Sequence, residues 1–152
     1  MTKPTSNGPF VQAALLCDLA LEDKQGVLSA IRIVDRFFLP STDTTGMGQG
    51  TPRALRTWLV VALKAGEAKG RHVVKLAVES PSGNRSPLPD ADVLFEGPDR
   101  GVNLVMNLQL GIQEEGLYWI DIFLGEDRLT RIPLRVVFQR VGPLPGPAPG
   151  GA

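Results

Sequence analysis

Side chains able to do chemistry are scarce in this chain: it holds one cysteine, one histidine and one tyrosine. Cys17 and His72 are the available thiol–imidazole pair for nucleophilic catalysis. Cys17 stands among apolar neighbours (Leu15, Leu16, Leu19), where a buried, inert thiol is the expectation. A zinc site needs several Cys or His ligands, and this composition supplies them only by adding carboxylates. The phosphate-cradling Gly-x-x-x-x-Gly-Lys loop and the Gly-x-Ser-x-Gly nucleophile elbow do not occur. Gly46-x-Gly48-x-Gly50 opens no helical pattern and reads as a flexible loop. Asp90 and Asp92, with Glu96 and Asp99, could meet at one end of a fold as calcium ligands do. The second loop that would face them offers Asp43 alone, so a solvated acidic rim is the expectation. The chain therefore reads as a non-enzyme with no catalytic, cofactor-binding or metal residues.

A surface is the better lead. Trp119 and Phe123 share the outward parity of one strand, with Asp121 between them. Arg131 and Arg135 lie outward on the next strand, and Arg32 and Arg36 outward on an early one. Protein interfaces enrich aromatic and Arg side chains. Trp119, Phe123, Arg131 and Arg135 are thus the candidate interaction surface for a protein partner. In the competing reading, Trp119 and Phe123 are covered by the loop at 40–52, by the N-terminal segment or by the C-terminal tail. The same aromatics would also suit a sugar platform.

The elements that must carry this surface follow from period-two patterning. The closing stretch, residues 114–139, holds two alternating strands around a short polar turn. Tyr118, Ile120, Ile122 and Leu124 face inward on the first, and Ile132, Leu134, Val136 and Phe138 on the second. Parity demands an odd number of loop residues. A three-residue loop sets Asp121 opposite Arg131; a five-residue loop sets Phe123 opposite Arg131 and Trp119 opposite Arg135. Pro133 lacks an N–H, so its strand should be an edge or be bulged there. Gly116 leads into Tyr118, whose hydroxyl is placed to bond back to the preceding loop as in a tyrosine corner.

Earlier segments follow suit. Residues 102–110 alternate most cleanly, and 55–64 and 71–80 read as a pair of strands. Residues 27–39 read as one strand, with Val27, Ile31, Ile33, Phe37 and Leu39 on one face. Residues 10–21 alternate too, although their Ala and Leu leave a short helix open. Residues 40–52 and 81–90 read as long loops, followed by a short strand at 93–95. The expectation is an all-β fold: one immunoglobulin-like or C2-like antiparallel β-sandwich of about eight strands, over residues 10–140. Residues 1–9 are expected to be a flexible N-terminus and 141–152 a disordered Pro/Gly-rich tail.

Composition narrows partners. The 152 residues carry 16 basic and 16 acidic side chains, so a nucleic-acid binder's positive excess is missing. No apolar run approaches the roughly 20 residues of a membrane-spanning helix. The first ten residues lack a signal peptide's apolar core, and one cysteine cannot form an internal disulfide. Together these point to a cytoplasmic protein.

Short motifs carry a resemblance. Cys17-Asp18, Glu22, Gly26, Ser29 and Ile31 near the start, and Glu115-Gly116, Tyr118, Ile132-Pro133-Leu134 and Val136 near the end, resemble a group of small uncharacterised bacterial proteins. That group is described as a domain of unknown function, and the likeness spans most of residues 12–138. It implies an intracellular β-sandwich and no assigned activity. The functional expectation is a non-catalytic interaction or scaffolding module with an unidentified protein partner, no nucleic acid and no membrane, and with a sheet edge as the route to a homo-oligomer. The alternative is a small-ligand or calcium-binding module on the end loops, with Asp43, Asp90 and Asp92.

Overall fold

The computed structural model describes residues 7–41 and 52–140. Those residues form nine strands and no helix. They are β1 (Phe10–Glu22), β2 (Leu28–Ile33), β3 (Arg36–Ser41), β4 (Arg53–Lys64) and β5 (Gly70–Glu79). The rest are β6 (Arg85–Phe95), β7 (Gly101–Ile112), β8 (Gly116–Leu124) and β9 (Asp127–Arg140). One sheet runs β2-β1-β4-β7 and the other β3-β9-β8-β5-β6. Their inner faces share one core, in which Leu59 and Val61 of β4 meet Ile120, Ile122 and Leu134 of β8 and β9, all fully buried. Apolar side chains at alternate positions give each strand one face to bury, which is why two sheets close on each other.

The stretch read as one strand, 27–39, is two strands in two sheets. β2 pairs with β1, the chain leaves the first sheet at Val34, and β3 joins the second at Arg36. Arg32, at φ 56°, occupies the left-handed region that non-glycine residues rarely enter. Its Nε reaches Asp18 Oδ2 at 2.7 Å, which holds the turn of the chain from the neighbouring strand. The expected common face is therefore split. Phe37 and Leu39 pack on the core, while Val27, Ile31 and Ile33 are exposed on the β1–β2 arm.

β3 runs parallel to β9, so the fold is not wholly antiparallel and β9 is not an edge. Pro133 is tolerated for a local reason. β3 begins to pair only at Arg135, whose N–H donates to Asp35 O on that side. Nitrogens two residues apart point the same way along a strand, so Pro133 turns its missing donor to a side where β3 has not begun.

β1 is a strand throughout. A bulge between Val11 and Ala13 shifts its register against β4, so Ala14 and Leu16 face the main core. Cys17 lies in a small second cluster with Ala20 and Val60. The region read as a loop at 81–90 is largely β6. Pro87 fits because β6 is an edge strand, paired on one side by β5.

Candidate functional site

The site builds outward from the β8–β9 hairpin. Its turn holds just Gly125 and Glu126, with Gly125 at φ 60°, and a bulge between Ile122 and Phe123 absorbs the odd residue that parity demands. Asp121 therefore stands opposite Arg131, as the three-residue alternative requires, and Phe123 stands opposite Arg128. Tyr118 makes the corner. Its hydroxyl donates to Glu114 O at 2.7 Å and accepts from Glu114 N at 3.3 Å. Burial pushes its pKa up. Glu114 is tied in turn to the β5–β6 turn, its carboxylate accepting from Ser82 Oγ at 2.6 Å and Ser82 N at 3.0 Å. Those bonds lower its pKa. Gly116, at φ 138°, passes so close to Pro81 that a Cβ there would come within 2.8 Å of the ring.

On the outward face of the same hairpin lies a charged cluster. The Asp121 carboxylate is 0% exposed. Arg131 Nε donates to its Oδ1 at 2.9 Å, and Arg131 Nη2 to its Oδ2 at 3.4 Å. Arg85 Nη2 donates to Oδ2 at 2.9 Å, and Arg128 Nη1 lies 3.7 Å from Oδ1. Arg131 Nη2 also reaches Glu79 Oε2 at 3.3 Å. A buried carboxylate is costly unless paired and hydrogen-bonded, and here guanidinium groups supply both conditions. Arg85 starts two strands away and must span about 9–10 Å across β5. Ala77, the residue of β5 directly opposite Asp121, leaves that path open.

The aromatics are half-covered by these arginines. The Arg131 guanidinium lies 4.5 Å from the centre of the Trp119 ring, and that of Arg85 lies 5.8 Å from the Phe123 ring. Trp119, Phe123 and Arg131 thus share one assembly. Arg135 is exposed two rungs further along β9, beside Leu117, with Arg36 of β3 in register on its other side. Arg32 does not join them, since β2 belongs to the other sheet. Glu79, Arg85 and Arg128 were missed by sequence reasoning. The bulge hid Arg128, and the Pro-containing stretch at 81–90 hid Arg85 as part of a loop.

The remaining candidates lie apart. Cys17 is 0% exposed on the first sheet, with burial raising its thiol pKa, the opposite of an activated nucleophile. His72 lies on the second sheet, edge-on to Phe95 and bonded to Lys69 O at 2.9 Å. Asp43 and the glycine run at 46–50 lie outside the described residues. Among the described residues no group of three or more His, Cys, Asp or Glu side chains is placed to hold a metal ion. A cleft of about 750 Å³ opens beside the corner, with Ser80, Ser86, Gln109 and Gln113 on its walls and Leu88 and Leu110 among its apolar lining. No helix among the described residues is long and apolar enough to cross a membrane.

No curated protein matches the chain. The model of a family of unknown function (DUF6941) matches residues 12–137, most of the chain, and the protein belongs to that family.

Proposed function

We propose that the protein is a non-catalytic interaction or scaffolding module whose partner, another protein, binds the outer face of the β3-β9-β8-β5-β6 sheet. The carrying observation is Trp119 held under the Arg131 guanidinium at 4.5 Å, on a face where Arg85, Arg128 and Arg135 are each exposed. A flat aromatic pinned by Arg loses little side-chain freedom on binding, which favours it as an anchor. We read the scaffold as immunoglobulin-like. β1, β4 and β7 would take the places of strands A, B and E, and β5, β8 and β9 those of C, F and G, with the tyrosine corner at the start of F. The buried, unpaired Cys17 supports a cytoplasmic setting. Among the described residues β2, β7, β3 and β6 end their sheets, and these edges are the routes to a second copy.

The test is affinity capture from the native host with wild type, Trp119→Ala/Arg135→Glu, and Arg135→Glu alone, all matched for fold by circular dichroism. A partner held by wild type and lost from the variants supports the reading. Identical partner lists from equally folded proteins sink it.

A second reading is a small-ligand module. The cleft of about 750 Å³ beside the corner supports it, since ligand pockets commonly run about 300–1,000 Å³. Its calcium version, on the end loops with Asp90 and Asp92, fails if thermal stability ignores both calcium and chelator.

A further inference from the structure

We infer that the partner segment is acidic and extended, and that it lies along β8 with its carboxylates on the exposed arginines at either end. This rests on the reading of that face as an interaction surface and adds the partner's chemistry to it.

Charge carries the inference. The whole chain is neutral, with 16 basic and 16 acidic residues. The face over β3, β9, β8 and β5 is not. Arg36, Arg71, Lys75, Arg128, Arg131 and Arg135 lie on it, and Arg85 reaches over it from β6, against Asp121 and Glu79; on β6 Asp92 follows, opposite the exposed Val73. Asp121 and Glu79 are already spent. Asp121 is fully buried under guanidinium groups, and Glu79 is paired with Arg131. Arg36 and Arg135 stand in direct register on neighbouring strands, where like charges repel. Among the described residues neither has an ion-pair partner, even though Asp35 precedes Arg36. Lys75, opposite Phe123, has none either. Two adjacent unpaired guanidinium groups are a poor arrangement for an isolated sheet and a good one for carboxylates from outside.

Geometry sets the length. From Leu117, beside Arg135, to Phe123, beside Lys75 and Arg128, β8 runs six steps, about 20 Å of extended chain. The middle of that path is the Trp119 ring with Pro133 next to it, a half-apolar seat between charged ends. Glu126 in the turn and Asp127 at the start of β9 adjoin Arg128 and dilute the field there, so Arg36 and Arg135 are the stronger anchor. A nucleic acid fits less well. Proteins that hold duplexes neutralise about 6–10 phosphates, whereas among the described residues the unpaired cations on this face are Arg36, Arg135, Lys75 and Arg71.

The probe is a fluorescein-labelled heptapeptide with two glutamates at each end of three leucines, read by anisotropy against the full chain. A matched peptide with glutamines in place of the glutamates and a 20-base-pair duplex are the controls. The acidic peptide should bind at least tenfold tighter than the glutamine peptide, and tighter than the duplex at 150 mM salt. Arg36→Glu/Arg135→Glu should weaken binding tenfold or more, with Arg36→Gln/Arg135→Gln between. Equal binding of the two peptides, a double reversal within twofold of wild type, or a preference for the duplex overturns the inference. If capture depends on Trp119 but the acidic peptide does not bind, the acidic chemistry is wrong and the surface stands. If capture is also indifferent to Trp119, both fall.

Discussion

Removing the Asp121 carboxylate is the most informative perturbation of this fold. The side chain is 0% exposed and accepts hydrogen bonds at 2.9 Å from Arg131 and 2.9 Å from Arg85. Breaking a buried ion pair by deleting one partner typically costs about 3–5 kcal/mol, because the other charge is stranded without compensation. Here the stranded groups are arginines, 30% exposed at Arg131 and 49% at Arg85, which water can partly resolvate. That lowers the expected cost of Asp121→Ala to about 2–3 kcal/mol, or roughly 4–12 °C in Tm for a chain of this size. Arg131→Ala should cost about the same. It leaves Asp121 to Arg85 and the more distant Arg128, and it uncovers the Trp119 ring. The double variant removes both members of this pair, although Arg85 still loses Asp121 and Glu79 loses Arg131, so the coupling energy of the cycle should be about 1–2 kcal/mol. Urea unfolding followed by tryptophan fluorescence measures all four corners, with the m-value confirming that the denatured state is unchanged. An Asp121→Ala cost under about 0.5 kcal/mol, or additive single and double variants, would refute the view that this cluster is a coupled buried unit.

Three further outcomes follow from single contacts. Tyr118→Phe should lose about 1 kcal/mol, seen in the same urea experiment, because the 2.7 Å bond to Glu114 O goes and that carbonyl keeps no replacement donor from the ring. Glu114 has its pKa lowered by Ser82, so its contribution to stability is present above the unfolded carboxylate's pKa and lost as pH falls through the folded one. Glu114→Gln should therefore flatten the acid limb of stability below the ordinary glutamate pKa of about 4.3, and an unchanged limb would contradict the assignment. Cys17, fully buried with a raised pKa, should react with a thiol reagent only as fast as the chain unfolds, so its labelling rate in native buffer should rise with urea in step with unfolding.

The sequence shows strands wherever one face is apolar and the other polar, as in β4, β7, β8 and β9. It fails where a local signal must be overruled by a distant one. Residues 27–39 are mostly β-forming, and the one local mark of the break at Val34 and Asp35 is Asp35 itself, a residue depleted in strands. The break follows a left-handed Arg32, whose side chain pairs with Asp18 on another strand. Pro87 and Pro89 argue against a strand until it is known that β6 is an edge, where a missing N–H removes no rung on the free side. With β6 read as a loop, Arg85 has no address and the third side of the Asp121 cluster is invisible. Strand parity places Trp119, Phe123 and Arg131 on one face, but the hairpin arithmetic left two registers open, and neither included the two-residue turn with its bulge. What parity cannot tell is that Asp121, outward by alternation, is buried by the arginines around it.

That burial divides the work of the face. At its centre, Asp121 and Glu79 consume much of the donor capacity of Arg131 and part of that of Arg85, so charge there is close to balanced and the side chains are held. At its end, Arg36 and Arg135 are exposed and have no ion-pair partner among the described residues. The two regions should answer differently to substitution. Changes at Asp121 or Arg131 act on folding, because they strand buried charge. Changes at Arg36 or Arg135 leave folding nearly untouched or improve it, because they relieve a like-charge pair facing water, and they act on whatever anion the face receives. A surface kept purely for stability would not place two unpaired arginines side by side in register. A carboxylate from outside would complete both and remove the repulsion between them.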